Sequence, residues 1–205
     1  MSSNGHGDST DAGESTGIGQ TAGTRVVVVV GNPRPGSRTA TAGARVAERV
    51  ADLIGAGQPA VIELAGLAGE LLVREHPAAD VALKQVAGAD VIVVATPVYK
   101  GSYTGLLKSF LDLYGGGALR GVVAVPLVVS ASPAHSVAGE IHLRPVLLEL
   151  GAAVPTAAVA LLEPQLAAID EALDGWFAGH AAVLSAAVRH GAQDVLAPAG
   201  AGGAR

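Results

Sequence analysis

Arg34, Ser37, Arg38 and Thr39 crowd one short stretch, Gly31-Asn32-Pro33-Arg34-Pro35-Gly36-Ser37-Arg38-Thr39, directly after an apolar run. Two guanidiniums and two hydroxyls so close together are suited to anion binding. Arginine supplies charge-assisted hydrogen bonds, and Ser or Thr oxygens start a helix well. A loop that leaves a strand and opens a helix adds free backbone N–H groups and the positive end of the helix dipole, so a phosphate is the expected ligand. The letters exclude two familiar nucleotide loops. A Walker A loop ends in Gly-Lys-Ser/Thr, whereas Gly36 precedes Ser37-Arg38, and a dinucleotide fingerprint needs glycine where Pro33 stands. The alternative is a plain strand-to-helix turn that carries surface arginines.

A second stretch, Thr96-Pro97-Val98-Tyr99-Lys100-Gly101-Ser102-Tyr103-Thr104-Gly105, holds two of the three tyrosines in the chain. Gly101 and Gly105 bracket a polar turn that can bend closely around a ligand. An aromatic ligand is the expected occupant. Elsewhere the chemistry is sparse. Zero cysteines exclude disulfides, thiolate metal sites and cysteine nucleophiles together. His6, His76, His142, His180 and His190 show no metal-ligand spacing with acidic partners, so no metal site is expected. His135 precedes a helix and reads as a first-turn residue. His180 falls on an apolar seam, where a packing or interface role suits it better than ligation.

The elements that must position these loops read as alternating strands and helices. Strand patterns cover 25–30, 59–64, 89–95, 122–129 and 156–162. They are short apolar runs rich in β-branched residues, as expected for strands covered on both faces. Helix patterns fall between and after them. Residues 39–56 place Val46, Val50, Leu53 and Ile54 inward, and 80–88 form a short helix. Leu107, Phe110, Leu111 and Tyr114 form one stripe on the helix after the third strand, with Lys108 and Asp112 opposite. The pattern over 137–151 tolerates Pro145 only as a kink or an early-turn residue. Residues 165–190 carry a seam of Leu166, Ile169, Leu173, Trp176, Phe177, His180, Val183, Leu184 and Ala187. Five β/α units imply a parallel sheet with right-handed crossovers and fit the flavodoxin-like order 2-1-3-4-5. Both polar loops then leave the carboxyl edge of the sheet beside its switch point, where open α/β sheets bind ligands.

Composition agrees with one α/β domain. The 205 residues are 50% hydrophobic but only 3% aromatic, so the core is built from Ala, Val and Leu. Net charge is −5, yet Asp8, Asp11 and Glu14 lie in a Ser/Gly/Thr-rich leader, which leaves 13 basic against 15 acidic groups beyond it. That balance argues against nucleic acid or an anionic membrane as the main partner. No apolar run approaches the ~18 residues of a membrane span. The expected organisation is a disordered leader over 1–24, a domain over 25–197 and a disordered tail over 198–205. The leader lacks the cationic start and apolar centre of a secretion signal, so a cytoplasmic location is expected.

Taken together, the two loops resemble the NADPH-dependent FMN reductase family of flavodoxin-like proteins, with the strongest likeness to reductase components of alkanesulfonate monooxygenase systems. Ala95 to Lys108 matches that family's A-T-P-V-Y-K-x-x-Y-[ST]-G-x-L-K segment in full. Gly31 to Thr39 matches its G-S-P-R-x-x-S-R-[ST] loop, except that Asn32 replaces serine. Weaker likeness continues to about residue 162. The resemblance implies an FMN phosphate on Asn32, Arg34, Ser37, Arg38 and Thr39. It implies that Pro97, Val98, Tyr99 and Lys100 line the ring and ribityl chain, with Ser130, Ala131 and Ser132 as a third wall. It further implies hydride transfer from NADPH or NADH to FMN, which needs alignment and exclusion of water but no side-chain acid or base, so no catalytic side chain is assigned. Reduced FMN would go to a partner flavin-dependent monooxygenase, and the chain would form a homodimer or homotetramer. A quinone or azo-dye reductase and a flavodoxin-type electron carrier are the rival readings.

Overall fold

The computed structural model describes residues 23–195, with side chains described to residue 190; the leader and tail proposed from composition therefore fall almost wholly outside the described residues. Five parallel strands form one sheet in the order β2-β1-β3-β4-β5. They are β1 (Val26–Val30), β2 (Ala60–Glu63), β3 (Val91–Pro97), β4 (Val123–Ser130) and β5 (Val159–Leu162). The helices are α1 (Arg38–Ile54), α2 (Pro77–Ala87), α3 (Gly105–Leu111), α4 (Arg144–Glu149) and α5 (Ile169–Val195). The expected strand order and fold class are the observed ones, a flavodoxin-like three-layer sandwich.

Alternation along each strand divides the core into two layers. Val28, Val93, Val125 and Leu161 meet α1 and α5 on one face, where Val46, Val50, Leu173, Phe177 and Leu184 are buried. Val29, Ile92, Val94 and Ala124 meet the other face, filled by Leu83, Leu107, Phe110, Leu143 and Leu147. Because both faces are covered, β1, β3 and β4 read as unbroken apolar runs.

Helix boundaries follow local chemistry. The Ser37 hydroxyl caps α1 by accepting the Ala40 N–H at 3.2 Å, and Gly55 ends it in the left-handed conformation at φ 68°. The stripe expected to run to Tyr114 belongs to a helix that stops at Leu111, with Gly115, Gly116 and Gly117 following. Tyr114 still packs beside that core and donates its hydroxyl to the Leu83 carbonyl at 2.9 Å. Burial raises its phenol pKa. The pattern over 137–151 resolves into a π turn, Gly139–Leu143, followed by α4, in which Pro145 takes an early position as expected. Two inward assignments are corrected: Leu53 lies at the exposed edge of α1 and Val183 is 43% exposed on α5. Periodicity gives the direction of an apolar stripe but not its width, and small residues (Ala47, Ala51, Ala187) take the inner positions instead.

Candidate active site

The chain turns one way from β1 to β2 and the other way from β3 to β4, so the loops after β1 and β3 open side by side at the carboxyl edge. Two contacts lock them together. The Gly31 N–H donates to the Ala95 carbonyl at 2.7 Å, and the buried Thr104 hydroxyl donates to the Gly31 carbonyl. Thr104 also caps α3, accepting the Leu107 N–H at 3.1 Å, while its own N–H reaches Thr96 Oγ1 at 3.2 Å. Gly31 is required by proximity: a Cβ there would lie 2.6 Å from Leu107 Cβ.

Within the first loop, Asn32 is buried and acts as an internal brace. Its Oδ1 accepts the Arg34 N–H at 3.0 Å and its Nδ2 donates to Thr39 Oγ1 at 3.2 Å. That Asx turn, with Gly36 at φ 60°, bends the chain so that Ser37 can cap α1. Two carboxylates approach the loop, one from β2, the neighbour of β1, and one from the end of β5 at the far edge of the sheet. Glu63, the last residue of β2, accepts the Gly36 N–H at 2.8 Å, and Glu163, directly after β5, lies 3.0 Å from the Arg38 guanidinium. Among the described residues, the Arg34 guanidinium takes no ion pair.

The second loop is a tight hairpin turn. Tyr99 and Ser102 exchange backbone hydrogen bonds at 2.8 and 3.1 Å around Lys100 at φ 54° and Gly101 at φ 81°. Two consecutive left-handed residues make a type I′ turn, a conformation that costs a lysine about 1–2 kcal/mol. We expect Lys100→Asn, which tolerates this region better, to raise stability by about 0.5–1 kcal/mol. A urea midpoint that moves upward at constant slope would confirm it; a lower midpoint would mean that the lysine side chain contributes more than its backbone costs.

A cavity of about 570 Å³ lies between the loops. Such a volume suits a small ligand. Of the residues implicated by sequence, Asn32, Arg34, Ser37, Arg38, Thr39, Pro97 and Tyr99 line it. The others stand apart from its walls. Val98 is tied back to β4 through its N–H to the Val129 carbonyl at 3.0 Å, and Lys100 is exposed at the turn tip. Ser130 is buried and donates to the Ser132 carbonyl at 3.1 Å, and Ala131 faces solvent. Tyr103 packs against the core layer beneath α3. Sequence reasoning missed Pro35, Gly36, Val129 and Glu163, which complete the wall. For Glu163, the available signal was its place immediately after a strand, at the same edge as both loops.

The cavity has two chemically distinct ends. At one, two arginines, the Ser37 hydroxyl and the first amides of the 17-residue helix α1 converge, a donor set that fits a phosphate. At the other, Pro97, Val129 and Tyr99 offer apolar surface. Among the described residues, no group of three or more His, Asp or Glu could hold a metal, and no helix is long and apolar enough to cross a membrane.

The model of the NADPH-dependent FMN reductase family matches residues 24–165, which contain both loops, all five strands and Glu163. The chain belongs to that family. An FMN reductase (NADPH) of Escherichia coli is 44% identical over 78 residues, which cover 38% of this chain and 41% of that protein. The NADH-dependent FMN reductase SfnF of Pseudomonas putida is 34% identical over 126 residues, covering 59% of this chain and 68% of that protein. A solved NADH:FMN oxidoreductase in its apo form superposes with a TM-score of 0.63 at 32% identity, over 82% of this chain and 87% of that one. The match to the Escherichia coli family member thus spans less than half of its length.

Proposed function

We propose that this protein is an NAD(P)H-dependent FMN reductase that supplies reduced flavin to a partner monooxygenase in the cytoplasm, where its reductant is available. The observation that carries this reading is the two-ended cavity at the switch point. Arg34, Ser37, Arg38 and the α1 amides would hold the FMN phosphate, and Pro97, Tyr99 and Val129 would border the ring. Bound FMN would supply the acceptor for the hydride of NAD(P)H. The chain's own contribution is alignment and exclusion of water, for which the site needs no acid or base. The names of the relatives, FMN reductases that use NADPH or NADH, support the same activity.

Among the described residues, Tyr99 is the one aromatic side chain on the cavity wall and is itself 45% exposed. Without two-sided aromatic stacking, FMN should exchange as a substrate and leave a ring face free for nicotinamide. Purified protein should be nearly colourless, and aerobic NADPH or NADH oxidation should rise with added FMN and saturate at micromolar concentration. A yellow preparation that keeps its flavin through gel filtration and turns over fully without added FMN would contradict this. Failure of FMN to stimulate oxidation, with a quinone or azo dye serving instead, would favour the rival reductase reading.

We further infer a homodimer or homotetramer. Leu107, Phe110 and Leu111 are consumed by the chain's own core, so they do not provide the contact. The support lies instead in exposed Val137, Ile141 and Leu148 beside α4. Sedimentation at micromolar concentration should give a species larger than the 20.2 kDa monomer, and a monomer alone would overturn the assignment.

A further inference from the structure

Glu163 faces the arginine end of the cavity, its Oε2 3.0 Å from Arg38 Nη2. Local structure holds it there: Pro164 follows it, and the preceding Leu162 N–H is held by Gln165 Oε1 at 2.7 Å. The pair precedes three that join α1 to α5: Arg45–Asp170 at 2.7 Å, Arg49–Asp174 at 2.9 Å and Arg49–Asp170 at 3.8 Å. Arginines 38, 45 and 49 and acids 163, 170 and 174 share one spacing, so the helices run side by side with matched charges. Of these pairs, Arg38–Glu163 alone lines the cavity. The others serve the helix contact.

We propose that Glu163 is a resident counter-anion for Arg38 that competes with the phosphate of FMN and thereby keeps flavin affinity low. The inference rests on the reading of the cavity as an FMN site. A carboxylate and a phosphate drawn to one guanidinium repel each other at this range. Phosphate therefore gains only the difference between its own contact with Arg38 and the one Glu163 already makes. Arg38 and Glu163 side chains are 66% and 41% exposed, so the pair is weak enough to be exchanged and strong enough to be felt. A reductase that must give up its flavin gains by that arrangement.

The test is equilibrium binding of FMN and of riboflavin, which lacks the phosphate, to wild type, Glu163→Gln, Glu163→Ala and Asp174→Asn. Both Glu163 variants should bind FMN about two- to fivefold more tightly, with riboflavin unchanged. Asp174→Asn, which breaks a pair away from the cavity, should change neither. Thermal melts of each variant establish that the compared proteins are folded. FMN binding that is unchanged or weaker in the Glu163 variants overturns the proposal, and so does an equal gain for riboflavin, which would place the effect at the ring. If wild type binds neither flavin, the FMN reading itself falls. If wild type binds FMN and the Glu163 variants match it, only the counter-anion role falls.

Discussion

Thr104→Val should destabilise the protein by about 2–4 kcal/mol although it removes almost no volume. The Thr104 side chain is 2% exposed, and valine has nearly its shape, so no cavity is created. What disappears is the hydroxyl. It caps α3 through the Leu107 N–H at 3.1 Å, a contact whose loss typically costs about 1 kcal/mol. It also satisfies the buried Gly31 carbonyl, and an unpaired buried acceptor costs a further 1–3 kcal/mol or so. A domain of this size loses roughly 2–4 °C in melting temperature per kcal/mol, so a fall of about 5–15 °C is expected. Thr104→Ser keeps the hydroxyl and should restore most of it. Urea denaturation of the two variants decides the matter. A loss below about 1 kcal/mol for Thr104→Val would mean that the Gly31 carbonyl finds another donor. Because this residue joins the loops after β1 and β3, the valine variant should weaken flavin binding as well.

Arg38→Ala should weaken FMN binding roughly 10- to 150-fold, the consequence of losing about 1.5–3 kcal/mol of charge-assisted hydrogen bonding to the phosphate. Its effect on stability should be small, since the pair it forms with Glu163 is exposed and such pairs are worth about 0–1 kcal/mol. Riboflavin binding should hardly change. Ser37→Ala should combine two losses. The Ser37 Oγ accepts the Ala40 N–H, so the alanine variant should lose about 1 kcal/mol of stability along with FMN affinity. Ser37→Gly, which costs a helix start only a few tenths of a kcal/mol, separates the two effects. Fluorescence titration with FMN and riboflavin across these variants gives the comparison. Equal losses for both flavins, or none for FMN, would remove the phosphate from this end of the cavity.

The opposed carboxylates give the site a character that neither loop has alone. Glu63 occupies the Gly36 N–H and Glu163 approaches Arg38, so the anion donors are partly engaged by the chain's own acids. Such a cradle is suited to a ligand that must leave, in keeping with an aromatic wall of one exposed tyrosine.

The amino-acid sequence by itself determined the layered architecture. Valine-rich runs such as Val26–Val30 can be stable only when covered on both faces, and intervening helical stripes are what cover them. It also determined where the two polar loops lie, because Pro97, Gly101 and the Asn32–Ser37 turn chemistry act within a few residues of themselves. The π turn before Pro145 and the end of α3 at Leu111 were settled by packing, where local pattern permits more than one helical continuation. The full cavity wall belongs to tertiary structure alone. Thr104 reaches Gly31 across 73 positions, and Glu163 meets Arg38 only because α1 and the start of the α5 segment lie on the same face of the sheet. Periodicity records which side of an element is apolar. It carries no information about which polar groups from distant elements arrive at the same sheet edge, since that depends on strand order and register.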